Sequence, residues 1–177
     1  MVIDPLLKIL KTPSAPRETG TARGWGDVGY RLGEVLPGDY MKFIELYGTG
    51  TIAGWLTVFN PFAANPHQNL LVDGFVVLGA LREIKREYPD QVPFPLFYEP
   101  DGLLPWGISI DGDIFCWSTT GLSGNWTVVV IGRHTGNEAF AMPMTRFLFE
   151  ALSRKIEPRC FPPDLDIVFD GGRADDR

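Results

Sequence analysis

Residues 106–119 read WGISIDGDIFCWST. Two runs of β-branched and aromatic residues flank Asp111-Gly112, a dipeptide suited to a two-residue type I′ turn, whose central residues need positive φ. A hairpin centred there places Ile110 opposite Asp113, Ile108 opposite Phe115 and Trp106 opposite Trp117. Side chains alternate along a strand, so those six share one face, while Ser109, Ile114 and Cys116 share the other. More strands follow from this hairpin. Downstream, WTVVVIG (126–132) and EAFAM (138–142) read as a second pair, joined by RHTGN with the polarity and glycine of a tight turn. Upstream, PLFYE (95–99) and GWLTVF (54–59) read as short strands, the latter ended by Asn60-Pro61.

Helical periodicity dominates on either side. Trp25, Val28 and Leu32 recur at helical spacing. Pro37 and Asp39 open a second helix, in which Tyr40, Phe43, Ile44 and Tyr47 fall on one face and Gly48 acts as the stop. Residues 70–88 (LLVDGFVVLGALREIKREY) form the longest helical stretch, with Leu71, Phe75, Leu78 and Leu81 on one side and Pro89 just beyond its end. A last helix over 145–156 turns Leu148, Ala151, Leu152 and Ile156 inward. The pattern predicts an α+β fold, a mainly antiparallel central sheet packed against several helices. It divides the chain into an N-terminal extension and linker (1–24), a single domain (25–168) and a disordered polar tail (169–177).

At 177 residues the chain is long enough to bury a core without disulfides or metal. Cys116 and Cys160 match no zinc spacing and make no disulfide framework. The N-terminal MVIDPLLKILKTPSAP lacks a basic leader and an A-x-A-like cleavage site, and no apolar stretch nears the roughly 20 residues of a membrane helix. A cytoplasmic location is the expectation. The net charge of −6 argues against nucleic acid as a partner, since neutralising phosphates needs a basic surface. All of this excess lies in one segment. From residue 87 to 132 there are six acids (Glu87, Asp90, Glu99, Asp101, Asp111 and Asp113) and no Lys or Arg, leaving 16 acids against 16 bases elsewhere.

Catalytic motifs do not survive their context. GWGDVG (24–29) matches G-x-G-x-x-G, but the residues before it, TPSAPRETGTAR, are not a strand, and no βαβ alternation follows. GLSGN (121–125) lacks the second glycine of a nucleophile elbow, where Asn125 stands instead. His67 and His134 fall in loops with no partner acid adjacent in sequence. A hydrolase using Asp111 and Asp113 as paired carboxylates is a distant alternative.

Taken together, GWGDVGYRLGEVLPGDYMKFIELYGTGTI (24–52) resembles the defining region of the SUKH superfamily, which includes bacterial immunity proteins and a fungal cell-wall-synthesis regulator. The residues behind the resemblance are Trp25, Leu36-Pro37, Tyr40 with Phe43, and Tyr47-Gly48-Thr49-Gly50. The later PWGISIDGDIFCW and NWTVVVI look like that family's central strands, so the likeness covers about residues 25–150. The resemblance implies a non-catalytic protein-binding domain without cofactor or metal. Its partner would be a cognate bacterial toxin neutralised by occlusion, and a basic nuclease suits the chain's charge. An intracellular adaptor or regulatory module of the same fold is the alternative. The resemblance transfers no partner-binding residue. The acidic segment itself suggests Glu99, Asp101, Asp111 and Asp113 for such a face, with Trp106 and Trp117 as anchors or, on pairing grounds, a packed cross-strand pair.

Overall fold

The decisive hairpin forms, but in a shifted register. The computed structural model describes residues 3–172, and in it strand β3 (Leu103–Ser109) pairs antiparallel with β4 (Ile114–Ser118). The turn holds three residues, Ile110-Asp111-Gly112: Ser109 N donates to the Asp113 carbonyl (2.9 Å), and Gly112 takes the left-handed position at φ +91°. Ile108 therefore faces Ile114, and Gly107 faces Phe115. A bulge at Trp106 takes up the offset, so that Leu104 faces Trp117. Trp106 is the extra residue, and the bulge returns its ring to the side of Phe115 (centroids 5.4 Å apart) and Trp117 (6.3 Å). Two local departures cancel, and the aromatic cluster anticipated from alternation is kept.

Around this hairpin runs a meander. Strands β1 (Gly50–Ile52), β2 (Leu56–Val58), β5 (Thr127–Gly132) and β6 (Gly136–Phe140) complete six consecutive antiparallel strands. A seventh, β7 (Phe169–Asp170), adds outside β1, giving the order β6-β5-β4-β3-β2-β1-β7. Helices α1 (Asp4–Leu7), α2 (Ala22–Leu32), α3 (Gly38–Tyr47), α4 (Asp73–Glu87) and α5 (Met144–Leu152) flank the sheet. This is an α+β fold with an antiparallel sheet.

Pairing sorts the side chains into two faces. Leu104, Trp117, Val128 and Phe140 form one row, with Phe147 of α5 against Phe140 (4.9 Å) and Tyr40 of α3 edge-on to Trp117 (4.8 Å). Pro105, Cys116 and Val129 point the other way. There α4 crosses β3, with Gly74 near the Pro105 carbonyl. The sheet is thus a middle layer between α4 and a layer containing α3 and α5.

Both proposed termini belong to the core. Ile3, Leu6 and Leu10 are buried, and the Tyr47 hydroxyl donates to the Leu10 carbonyl (2.6 Å). The supposed linker is tied down at Arg17 and Glu18. Thr49 N donates to the Arg17 carbonyl, Asn60 Nδ2 to the Glu18 carbonyl (2.9 Å), and the Glu18 carboxylate accepts from Thr49 Oγ1 and Ala64 N. Gly48, at φ +70°, lies so close to the Arg17 backbone that no side chain fits. At the other end Phe169 packs on Phe43 and Tyr47, so the segment expected to be a disordered tail begins with a strand. The rest of that tail, 173–177, lies outside the described residues. PLFYE is also corrected: it makes one isolated bridge, Leu96 to Leu103, and then turns.

Candidate partner-binding surface

The four acids suggested by the sequence do not form one surface. Glu99 and Asp101 precede β3, whereas Asp111 and Asp113 follow it, and a strand of seven residues spans about 20 Å. The two groups sit at opposite ends of the sheet.

At the hairpin end the acids hold the fold together. Asp113 is only 4% exposed; its carboxylate accepts from Ser109 Oγ (2.7 Å) and from the backbone N–H of Arg133 (3.0 Å). Asp111 accepts from the indole N–H of Trp55 (2.8 Å), and its carbonyl faces the Arg133 guanidinium at 3.4 Å. These contacts lash together the β1–β2, β3–β4 and β5–β6 turns. A buried carboxylate saturated by its own chain is not a docking group. Trp106 and Trp117 are likewise completely buried, which corrects their reading as interface anchors and fits the packed-pair alternative.

The groups that could carry chemistry are scattered. Gly24, Gly26 and Gly29 of the dinucleotide-like motif all lie within α2, not on a turn between strand and helix. His67 is exposed, its Nδ1 3.8 Å from the Asp73 carboxylate. His134 and Asp90 line an open cleft of about 490 Å³ between the end of α4 and the β5–β6 turn. Burial raises the Cys160 thiol to about 12, with Asp113 and Glu138 adding to the effect, and burial pushes the Cys116 thiol higher still. Both thiols stay protonated at neutral pH and are poor nucleophiles. No cluster of three or more metal-ligating side chains occurs among the described residues. No described helix is long and apolar enough to cross a membrane.

At the other end of β3 the acids sit beside exposed apolar surface. Tyr98 is 64% exposed at φ +74°, and Asp101 is exposed at φ +59°. The Tyr98 ring lies on Phe97 (centroids 4.4 Å) and near Phe75 of α4 (6.2 Å). Sequence reasoning passed over Tyr98 because PLFYE has strand-like composition. The available signal was Pro100-Asp101-Gly102 directly after it, a turn-forming run. Val76 of α4 and Val72, the residue just before that helix, are also exposed.

Comparison with protein-family models, curated proteins and solved structures returns no match.

Proposed function

We propose that this chain is a non-catalytic, cytoplasmic protein-binding domain, an immunity protein that neutralises a cognate toxin by covering it. The observation that carries this reading is the convergence of the residues behind the SUKH resemblance. Trp25 meets Tyr40 edge-on (6.1 Å), and the Tyr40 hydroxyl donates to the Phe59 carbonyl. Pro37 opens and Gly48 closes the helix that carries Tyr40, Phe43 and Tyr47. Residues spread over positions 25–59 thus form one connected unit, which supports the resemblance. The net charge of −6 supports a basic partner, because opposite charge speeds encounter and rejects wrong partners.

The reading predicts an effector toxin encoded beside this gene, and the test is co-production with that toxin. Immunity requires that the folded chain restore growth and form a stable complex with the purified toxin domain. Failure to protect, with the protein folded and present, removes the immunity reading. An endogenous partner found instead would favour a regulatory module of the same fold.

A further inference from the structure

Resting on that reading, we propose that the outer side of α4 and the 94–102 loop form the docking face, with Tyr98 as its central anchor. The occupant is a protein presenting an apolar pocket rimmed by Lys or Arg.

The loop is built to hold Tyr98 outward. A non-glycine residue in the left-handed region is strained and persists only where its surroundings impose it. Here they do. Arg82 donates to the Phe97 carbonyl (2.9 Å), Lys85 donates to the Phe94 carbonyl, and the Glu99 carboxylate accepts from Leu96 N. Gly102 abuts the Leu96 backbone with no room for a Cβ. A side chain fixed in this way loses little freedom on binding, which favours affinity.

Beside Tyr98 the apolar surface continues. Val76 is 64% and Val72 46% exposed, one helical turn apart, with Phe75 half-buried next to them. One turn further on, a Cβ added at Gly79 would meet nothing within 4 Å, so partner atoms can approach closely there. Adjacent exposed apolar side chains around an aromatic residue mark binding surfaces more than isolated ones do.

The rim identifies the occupant. The nearby bases are already engaged: Arg82 and Lys85 serve loop carbonyls, and Arg86 meets Glu83 (2.5 Å) and Glu87. Asp101 has no hydrogen bond or ion pair among the described residues, whereas the Glu99 carboxylate accepts from Leu96 N and lies 3.8 Å from Lys85. Arg82 and Lys85 keep their charge on those carbonyls, but Glu83, Glu87, Glu99 and Asp101 set against Arg82, Lys85 and Arg86 leave the face a net charge of −1, which complements a basic rim. A second copy docking through the same patch about a two-fold axis would set acid against acid. Nucleic acid would meet the same repulsion.

The experiment uses the full chain and the purified toxin domain that it protects against. Tyr98→Gly suits the backbone, and Val76→Glu alters an exposed helical position; thermal melts confirm folding of each. Loss of an anchor weakens toxin binding by about 30-fold or more, and Val76→Glu does the same, while Tyr30→Ala on exposed α2 leaves affinity unchanged. Wild-type affinity in both folded variants overturns the docking face but leaves the immunity reading intact. If no toxin is neutralised, photo-crosslinking from benzoylphenylalanine in place of Val76 supplies the partner for the same affinity measurements. Loss of binding there keeps the face and sinks immunity. No crosslinked protein, or one whose purified form binds the variants normally, sinks the face as well.

Discussion

The two ends of β3 carry the same residue types and put them to opposite uses. At the Ile110–Gly112 turn, Asp111 and Asp113 are occupied by Trp55, Ser109 and Arg133. At the 94–102 loop, Asp101 faces solvent and Tyr98 stands on its own aromatic bed. Tyrosine shows the same division. Tyr47 is buried with its hydroxyl on Leu10, whereas Tyr98 is exposed in a conformation tyrosine rarely adopts. A carboxylate at a strand end is most available to a partner where it is exposed and unbonded, as Asp101 is and buried Asp113 is not. An acidic stretch of sequence is therefore not yet an acidic surface.

The largest expected effect tests the structural end. Asp113→Ala removes the acceptor for a buried hydroxyl and a turn N–H, and costs about 3 kcal/mol of stability. Denaturant unfolding reads this as a lower midpoint with an unchanged slope. A loss below about 0.5 kcal/mol would mean that the turns do not depend on this carboxylate, and the contrast between the ends would break. Charge reversal at Asp113 is for the same reason a test of folding, not of partner binding.

Next comes the buried tyrosine. Burial raises Tyr47 from 10.0 to about 12 and raises Tyr40 as well. A folded-state value above the unfolded one favours the protonated form. The associated stability is complete below about pH 10 and is lost as pH climbs through 12. Cys160, raised from 9.0 to about 12, starts the decline nearer pH 9. Unfolding midpoints measured from pH 8 to 12 should fall steadily above pH 9. Tyr47→Phe costs about 1 kcal/mol at pH 8 by leaving the Leu10 carbonyl without its donor, and flattens the fall between pH 10 and 12.

Tyr98→Gly is expected to separate stability from binding. Relief of left-handed strain, about 1–2 kcal/mol, offsets the lost contacts with Phe97 and Phe75, about 0.5–1.5 kcal/mol. Stability should change by less than about 1 kcal/mol while partner affinity falls. A large destabilisation would place Tyr98 with Tyr47, as a residue the fold needs.

Much of the architecture was legible in the sequence because it follows from periodicity and punctuation. Tyr40, Phe43, Ile44 and Tyr47 face the core as their spacing requires, and Gly48 ends their helix. Strands β4 and β5 fall where alternation and apolar content put them. What escaped depends on contacts distant in sequence. The three-residue turn and the bulge at Trp106 compensate each other, and only the packed core rewards that pair of irregularities. The span 12–24 looks like a linker by composition, yet Glu18 is tied to Thr49, Asn60 and Ala64, which no local pattern reveals. The candidate face was half legible. Glu99 and Asp101 came from charge, but Tyr98 was read as part of a strand because the clamps from Arg82 and Lys85 come from α4.

The smallest expected effect is the most specific to the exposed end. Asp101→Lys changes a side chain with no partner among the described residues, so stability should move by no more than about 0.5 kcal/mol. Positive φ at position 101 suits aspartate somewhat better than lysine, a difference that falls within that margin. Against a basic partner the reversal acts chiefly on encounter. Association should slow several-fold at low salt, and the difference should shrink as ionic strength rises, because exposed charges are screened over about 10 Å at 0.1 M. Stopped-flow association across a salt series gives the slope directly. The same reversal at Asp111 should behave differently, weakening the Trp55 contact and lowering stability before it touches the on-rate. Equal salt slopes for the two reversals would mean that both ends of β3 face the partner, and the division between them would be one of stability alone.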